Sequence, residues 1–362
     1  MDITFVLPKF LTQPNNEMGT INSFAKHLSD RGHTVTLIYP LELNQNKLQK
    51  KINNFIKIIK DWTGETHSPD KNLFYTDIPG VNIQVVYNLS PKYLPLADKI
   101  VATDWESNLA IQDLPKKYGE KYYFVQSWEP YFYRSRKPLQ SLQTPAQKIA
   151  LSEWIKEELI KLGQDPFGPV GNFIDQKNFY CWNDFDNRSY DIGLFHHSKT
   201  KKFKEELKIL NRIKKERSSL NAAVLSYGSP ECDLPHWIDL TINPTSFQRR
   251  ELYNEIKLLI YKNKKEGWPR EPMEAMASGC VLISNQNKGV QEYINNQENG
   301  FLINSERKWF FFDTIVNNMV NKISYLLSNH SEAQKISQRA SQIVQEYKAQ
   351  KTIEKLEDIL EA

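Results

Sequence analysis

Two carboxylates, Glu266 and Glu274, stand eight positions apart in the run Lys265-Glu266-Gly267-Trp268-Pro269-Arg270-Glu271-Pro272-Met273-Glu274-Ala275-Met276-Ala277-Ser278-Gly279-Cys280. Glu266 follows an apolar run, Leu258 to Tyr261, that reads as a strand. Glu274 falls one turn inside a helix expected over Pro272 to Ser278, at about its third position if Pro272 opens it. The spacing sets a carboxylate at each end of one loop, over the start of that helix. A helix start offers unpaired N–H groups and partial positive charge, which suit a phosphate. Carboxylates are strong acceptors and suit sugar hydroxyls. Together these parts describe a seat for a sugar joined to a nucleoside diphosphate. The plainer alternative is that Glu274 caps its own helix and that Glu266 is a solvated loop charge.

Other chemistry-bearing groups are more scattered. The loop His196-His197-Ser198-Lys199-Thr200-Lys201-Lys202 concentrates positive charge at a helix start, either to hold a phosphate or as an ordinary solvated terminus. Its histidines are adjacent and tend to point apart, with no further ligands at usable spacing, so no metal is expected there. Asp184-Phe185-Asp186 copies an Asp-x-Asp metal motif but lies in a polar linker, where it reads as a solvated turn. Glu129 stands among aromatics from Tyr122 to Tyr133 at a strand end. Aromatic faces stack on sugars or fill a core, so Glu129, and secondarily Gln126, are candidates for substrate contact. Over 47–62, Leu48, Ile52, Phe55, Ile56, Ile59 and Trp62 recur at helical spacing between Lys50, Lys51, Lys57 and Lys60. Such a helix either packs on its own sheet or lies on an anionic membrane.

These groups need strands and helices to hold them. Ile3 to Leu7 reads as a buried strand, Thr12 to Gly19 as a loop, Thr20 to Arg31 as a helix ending at Gly32, and Thr34 to Tyr39 as a strand. That is a βαβ unit, hence a parallel sheet. Lys99 to Thr103 and Tyr122 to Gln126 add strands, and Ile149 to Leu162 reads as a helix. After turn residues from Pro166 to Asp175 and a polar stretch from Gln176 to Tyr190, the pattern restarts. Asp191 to Phe195, Ala222 to Tyr227, Leu258 to Tyr261 and Val281 to Ser284 are expected strands; Phe203 to Lys215 and Glu251 to Lys257 are expected helices. The tail from Phe310 is helical. With 362 residues the chain is long for one core. We expect an α/β protein of two Rossmann-like domains, 1–172 and 173–345, with parallel sheets facing across a cleft, and a closing helix, 346–362, packing back on the first domain. Gly19, Glu266 and Glu274 all follow strands, where ligands of such sheets bind.

A formal net charge of +4 forces no nucleic-acid footprint. Cys181, Cys232 and Cys280 form no close pair and no metal spacing, which suits a reducing compartment. No leader is visible in the first residues and no window approaches a spanning helix. The expectation is a cytoplasmic protein, with peripheral contact to the inner face of the membrane if 47–62 lies on lipid.

The residues around the two glutamates resemble the retaining glycosyltransferases of family 4, which have the GT-B fold. The resemblance rests on Glu-x7-Glu at Glu266 and Glu274, followed by Gly289-Val290-Gln291-Glu292 and Asn299-Gly300-Phe301-Leu302. Asn172-Phe173-Ile174-Asp175 and Leu28-Ser29-Asp30-Arg31-Gly32-His33-Thr34-Val35 support it upstream. Tyr123-Phe124-Val125-Gln126-Ser127-Trp128-Glu129 is similar to a segment of a polysaccharide-type subset. Two departures stand out: Met18-Gly19 replaces a pair of glycines, and the basic loop after the first strand of the second domain lacks the usual arginine.

The resemblance implies that Glu274 holds the ribose hydroxyls of a nucleoside-diphosphate sugar and Glu266 the hydroxyls of the transferred sugar. Backbone groups at Gly267 and Trp268 would seat that sugar, Gly19 would approach a phosphate, and Lys202, then Lys199, would neutralise the diphosphate without a metal or other cofactor. Glu129, with Glu266, is the second catalytic candidate, in contact with acceptor or donor. The acceptor would be a glycan, a lipid-linked sugar or a protein. Two rivals stay open: a non-catalytic partner subunit of a transferase, and a sugar-nucleotide epimerase on the same architecture.

Overall fold

The computed structural model describes residues 1–8, 16–41, 78–131, 133, 135–197, 201–230, 232–263, 266–304 and 312–362. The expected amphipathic helix at 47–62 and Lys199 lie outside the described residues. The chain divides into two compact units, Met1–Gly171 with Ile353–Ala362, and Asn172–Thr352.

The first unit holds six parallel strands: β1 (Asp2–Val6), β2 (Thr34–Pro40), β3 (Val81–Val86), β4 (Lys99–Ala102), β5 (Glu120–Val125) and β6 (Gln147–Ala150), in the order β3-β2-β1-β4-β5-β6. The second holds β7 (Tyr190–His197), β8 (Ala222–Tyr227), β9 (Ile238–Ile242), β10 (Ile256–Tyr261), β11 (Val281–Asn285) and β12 (Phe301–Ile303), in the order β12-β11-β10-β7-β8-β9. Counted from its own first strand, each sheet runs 3-2-1-4-5-6, the doubly wound order. The central strands are apolar runs because helices cover both faces of a parallel sheet; in β10 every residue but Lys257 is buried.

Helices α1 (Asn16–Asp30), α2 (Trp105–Ile111), α3 (Lys137–Leu142) and α4 (Glu153–Lys161) belong to the first unit. Helices α5 (Lys201–Glu216), α6 (Ser246–Glu255), α7 (Arg270–Ala277), α8 (Phe312–Ser328) and α9 (His330–Val344) belong to the second, and α10 (Ala349–Glu361) closes the chain. Within the first unit, Glu357 on α10 accepts from Arg31 at 2.7 Å and meets His33 at 2.6 Å. Ile353, Leu356 and Leu360 of the same helix are fully buried.

Several sequence-based bounds are corrected. Helix α1 starts at Asn16 and takes in Gly19, whose carbonyl accepts from the Ser23 hydroxyl at 3.0 Å; a glycine costs about 1 kcal/mol in a helix, too little to end one. Ile149 lies in β6, not in a helix. The apolar stretch Ile149–Leu151 runs straight into the helical pattern, and Ser152 at the N-cap marks the true start of α4. Helix α6 begins at Ser246 behind a capping box, in which Thr245 and Gln248 serve each other's backbone N–H groups. Helix α7 begins at Arg270, so Pro272 is its third residue and Glu274 its fifth. Proline is tolerated there because the first turn's N–H groups have no partner inside the helix. The polar stretch from Gln176 to Tyr190 packs into the second unit. Phe179 and Phe185 are buried in it, and Arg188 donates to the carbonyls of Ile256 at 2.7 Å and Ser278 at 2.8 Å.

Candidate functional site

In a sheet of this order, the crevice forms beyond the carboxyl ends of the two strands where the winding reverses. In the second unit these are β7 and β10, paired in parallel with Leu258 beside Ile192 and Ile260 beside Leu194. The loop after β10 carries Glu266, Gly267 and Trp268 into α7, which carries Glu274. The loop after β7 leads to α5, whose first turn contains Lys202. Glu266, Gly267, Trp268 and Glu274 thus all follow β10 in the strand-loop-helix unit that ends in α7.

Glu266 is half-buried, and both of its oxygens are engaged from below. The Tyr261 hydroxyl, at the last position of β10, donates to Oε2, and the Asn263 amide donates to Oε1. Tyr261 is buried, which, with the Glu266 carboxylate beside it, pushes its phenol well above the ordinary range. The phenol therefore stays a donor and fixes the direction of the carboxylate.

Glu274 is buried with 3% of its surface exposed, on a helix whose residues from Glu271 to Ala277 are all buried. Its partners are Arg249, whose Nε donates to Oε2 at 3.2 Å, and Arg270, 3.7 Å from Oε1. Burial raises the Glu274 pKa above the ordinary carboxylate range, and Arg249 and then Arg270 oppose that shift. Each carboxylate oxygen carries two lone pairs. The single hydrogen bond from Arg249 therefore leaves acceptor capacity for a hydroxyl. The capping alternative for Glu274 is ruled out, since its carboxylate turns to arginines rather than to the helix start.

Trp268 serves the frame of the loop. Its indole N–H points to the sulfur of Met273 at 3.4 Å, its ring lies 5.6 Å from that of Tyr347, and its carbonyl accepts from Asn172 at 3.4 Å. Gly289, in the Gly-x-x-Glu segment, presses on the same loop. A Cβ there would lie 2.4 Å from the Glu266 carbonyl oxygen and 3.0 Å from that of Gly267, so only glycine lets the two segments meet. Lys262, just past β10, pairs with Glu205 on α5 and ties the two sides of the switch point together.

Gly19 and Glu129 lie in the first unit. Gly19 follows β1 in the first turn of α1. Glu129 follows β5, where its carboxylate accepts from the buried Tyr123 hydroxyl and from the Trp105 backbone N–H at 3.3 Å. Next to it Asp104 caps α2, accepting from the Ser107 N–H at 3.0 Å, and burial pushes its pKa up to about 6. Gln126 is buried, and its amide reaches the Thr103 carbonyl at 3.5 Å. Phe185 anchors the Asp184-Phe185-Asp186 turn in the core, while Asp186 faces solvent beside His330 at 3.4 Å. His196 is buried against the Ser226 hydroxyl at 2.7 Å.

The sequence reading missed Arg249, Tyr261, Asn263 and Lys262. Tyr261 and Asn263 are recognisable only as polar groups flanking Glu266. Arg249 lies 25 positions from its carboxylate, and no local pattern links them.

Residues 231–343 match the family model described as glycosyl transferases group 1. No curated protein matches the sequence. Solved structures match along the whole chain. A variant of S. aureus TarM, solved with fondaparinux, α-GlcNAc-glycerol and UDP, has a TM-score of 0.70 at 12% identity, covering 100% of both chains. HepE from Anabaena, solved with UDP and glucose, has a TM-score of 0.68 at 12% identity, again covering 100% of both chains. Sucrose-phosphate synthase from Thermosynechococcus elongatus has a TM-score of 0.69 at 12% identity, covering 100% of this chain and 98% of that one. The fold is thus the GT-B fold, two Rossmann-like units with parallel sheets. Among the described residues no helix is long and apolar enough to cross a membrane, and no three His, Cys, Asp or Glu side chains gather as a metal site.

Proposed function

We propose that this chain is a retaining glycosyltransferase. It moves a sugar from a nucleoside-diphosphate donor to a glycan, lipid-linked or protein acceptor, without a metal. One observation carries the reading: Glu266 in the loop after β10 and Glu274 in the helix that follows each have a carboxylate already held by neighbours. The group 1 match over 231–343 and the UDP complexes of fold relatives support a nucleotide-sugar donor.

In this reading Glu274 accepts from the ribose hydroxyls, and Glu266 from hydroxyls of the donor sugar. The backbone at Gly267 and Trp268 seats that sugar. Positive charge at the start of α5, from Lys202 and Lys199, neutralises the diphosphate as it departs. In the first unit, Gly19 offers close backbone approach to a phosphate and Glu129 a carboxylate for contact with acceptor or donor. The glutamates gain nothing from being carried by a mere partner subunit, which disfavours that role. Preorganisation is what this arrangement supplies: carboxylates already oriented do not reorganise as charge develops.

The test is product stereochemistry in the presence of a chelator. Incubated with UDP-sugars, simple acceptors and excess EDTA, the enzyme should release UDP and give a product with the donor's anomeric configuration, read from the proton coupling at the anomeric carbon. Inversion of that centre, or loss of turnover restored by a divalent cation, would overturn the mechanism.

A further inference from the structure

The outer edge of the second sheet carries another concavity. A cavity of about 410 Å³ lies between β12 and the turn before it on one side and α8 on the other. It is two strand spacings, roughly 10 Å, from β10. Phe301 and Ile303, both buried, form its floor.

Five amides line its walls: Asn296, Gln297, Asn304, Asn318 and Asn321. An amide offers a donor and an acceptor on one group, which matches adjacent hydroxyls of a sugar. Tyr325, 45% exposed, lines the same space and adds an aromatic surface of the kind sugars pack against. Gln297 holds a φ of 70°, a left-handed backbone in which glycine is less strained, so the rim carries an amide where a smaller residue fits better.

The charge in the cavity has one sign among the described lining residues. Lys322 lies 4.5 Å from the centroid of Phe301 and 5.1 Å from that of Tyr325, so two rings fix its ammonium. Among the described residues near the rim, Glu298 pairs with Arg339 at 2.7 Å, and Glu332 keeps its charge while accepting from the Tyr325 hydroxyl at 2.5 Å. Elsewhere on α8, outside the lining, Asn317 accepts from Arg212 of α5. A lipid surface would need exposed apolar side chains here; the walls are amides instead.

We infer that this cavity is a second glycan-binding site, separate from the switch point, that takes an oligosaccharide bearing carboxylates. The inference holds whether or not the β10 loop is a donor site.

Calorimetric titration of the full chain with a short polygalacturonate, and with a neutral gluco-oligosaccharide of equal length, tests it. The acidic sugar should bind more tightly than the neutral one. Lys322→Gln should weaken it by about tenfold or more, the loss of one charge-assisted contact. Asn321→Asp, which adds a repelling charge, should weaken it similarly. Asn321 is exposed and Lys322 half-buried, and unchanged melting midpoints confirm folding. Glu266→Gln should bind the acidic sugar as wild type does, which separates this site from the transfer site. Absence of binding to the acidic sugar, tighter binding of the neutral one, or wild-type titration of both cavity variants would overturn the inference.

Discussion

Glu266→Gln is expected to lower kcat for sugar transfer by about 10²–10³-fold, the range for removing one preorganised electrostatic group, while the melting midpoint barely moves. The half-buried carboxylate accepts from two donors at once, the Tyr261 hydroxyl and the Asn263 amide. A glutamine has the same shape but turns an NH2 toward one of those donors. The side chain must then rotate or lose a contact, and the charge proposed to face the sugar is gone. Since the residue stands in a loop over a crevice, its packing contributes little to the core. Steady-state kinetics with a nucleotide-sugar and circular dichroism melts separate the two effects. Turnover within a few-fold of wild type would remove Glu266 from the reaction.

Arg249→Met should have the largest effect on stability. Arg249 and Glu274 have side chains 17% and 4% exposed. Removing one member of a buried pair leaves a charge uncompensated, at a cost of about 3–5 kcal/mol. Arg270, 3.7 Å away, remains as a weaker partner, so the lower figure is expected. In a unit of this size about 3 kcal/mol corresponds to a drop of roughly 6–12 °C in melting midpoint. The effect depends on pH with a definite sign. Burial already holds the folded-state pKa of Glu274 above its ordinary value, and loss of Arg249 raises it further. Below the ordinary carboxylate range the side chain is protonated in both folded and unfolded states, and the variant is least penalised. As pH rises from the wild-type folded pKa to that of the variant, the deficit opens, since the variant must keep or lose a proton at greater cost. Melts at pH 5 and pH 8 should show the larger deficit at pH 8. Equal deficits would mean that lost packing, not the charge pair, explains the change.

The centre of each sheet was legible in the sequence, and the edges were not. β1, β2, β8, β10 and β11 lie between helices on both faces, so their apolar runs stand out against polar loops. β3 and β9 are edge strands with mixed burial, and β12 has three residues; none makes a run long enough to recognise. β6 was lost because Ile149–Leu151 joins the next helix without a polar break. Glu266 and Glu274 were legible because they are near in sequence and their spacing is bound to one strand-loop-helix unit. What holds them came from elsewhere: Arg249 from α6, Gly289 from the segment after β11, Glu205 from α5. Contacts set by sheet order leave no local signature. Capping did leave one at Thr245 and Gln248, but the sequence reading passed over it and placed the start of α6 at Glu251 instead of Ser246.

The central claim is that the β10 loop and α7 form a nucleotide-sugar site. Thermal unfolding with a panel of nucleoside diphosphates and their sugar conjugates tests it most directly, on wild type and on Glu274→Gln. The glutamine keeps the shape of this buried residue and avoids a cavity. A ligand that binds only the folded state raises the midpoint by an amount set by its concentration relative to Kd. One nucleotide should raise the wild-type midpoint and lose most of that shift in Glu274→Gln. No shift with any nucleotide, or an equal shift in both proteins, would contradict it.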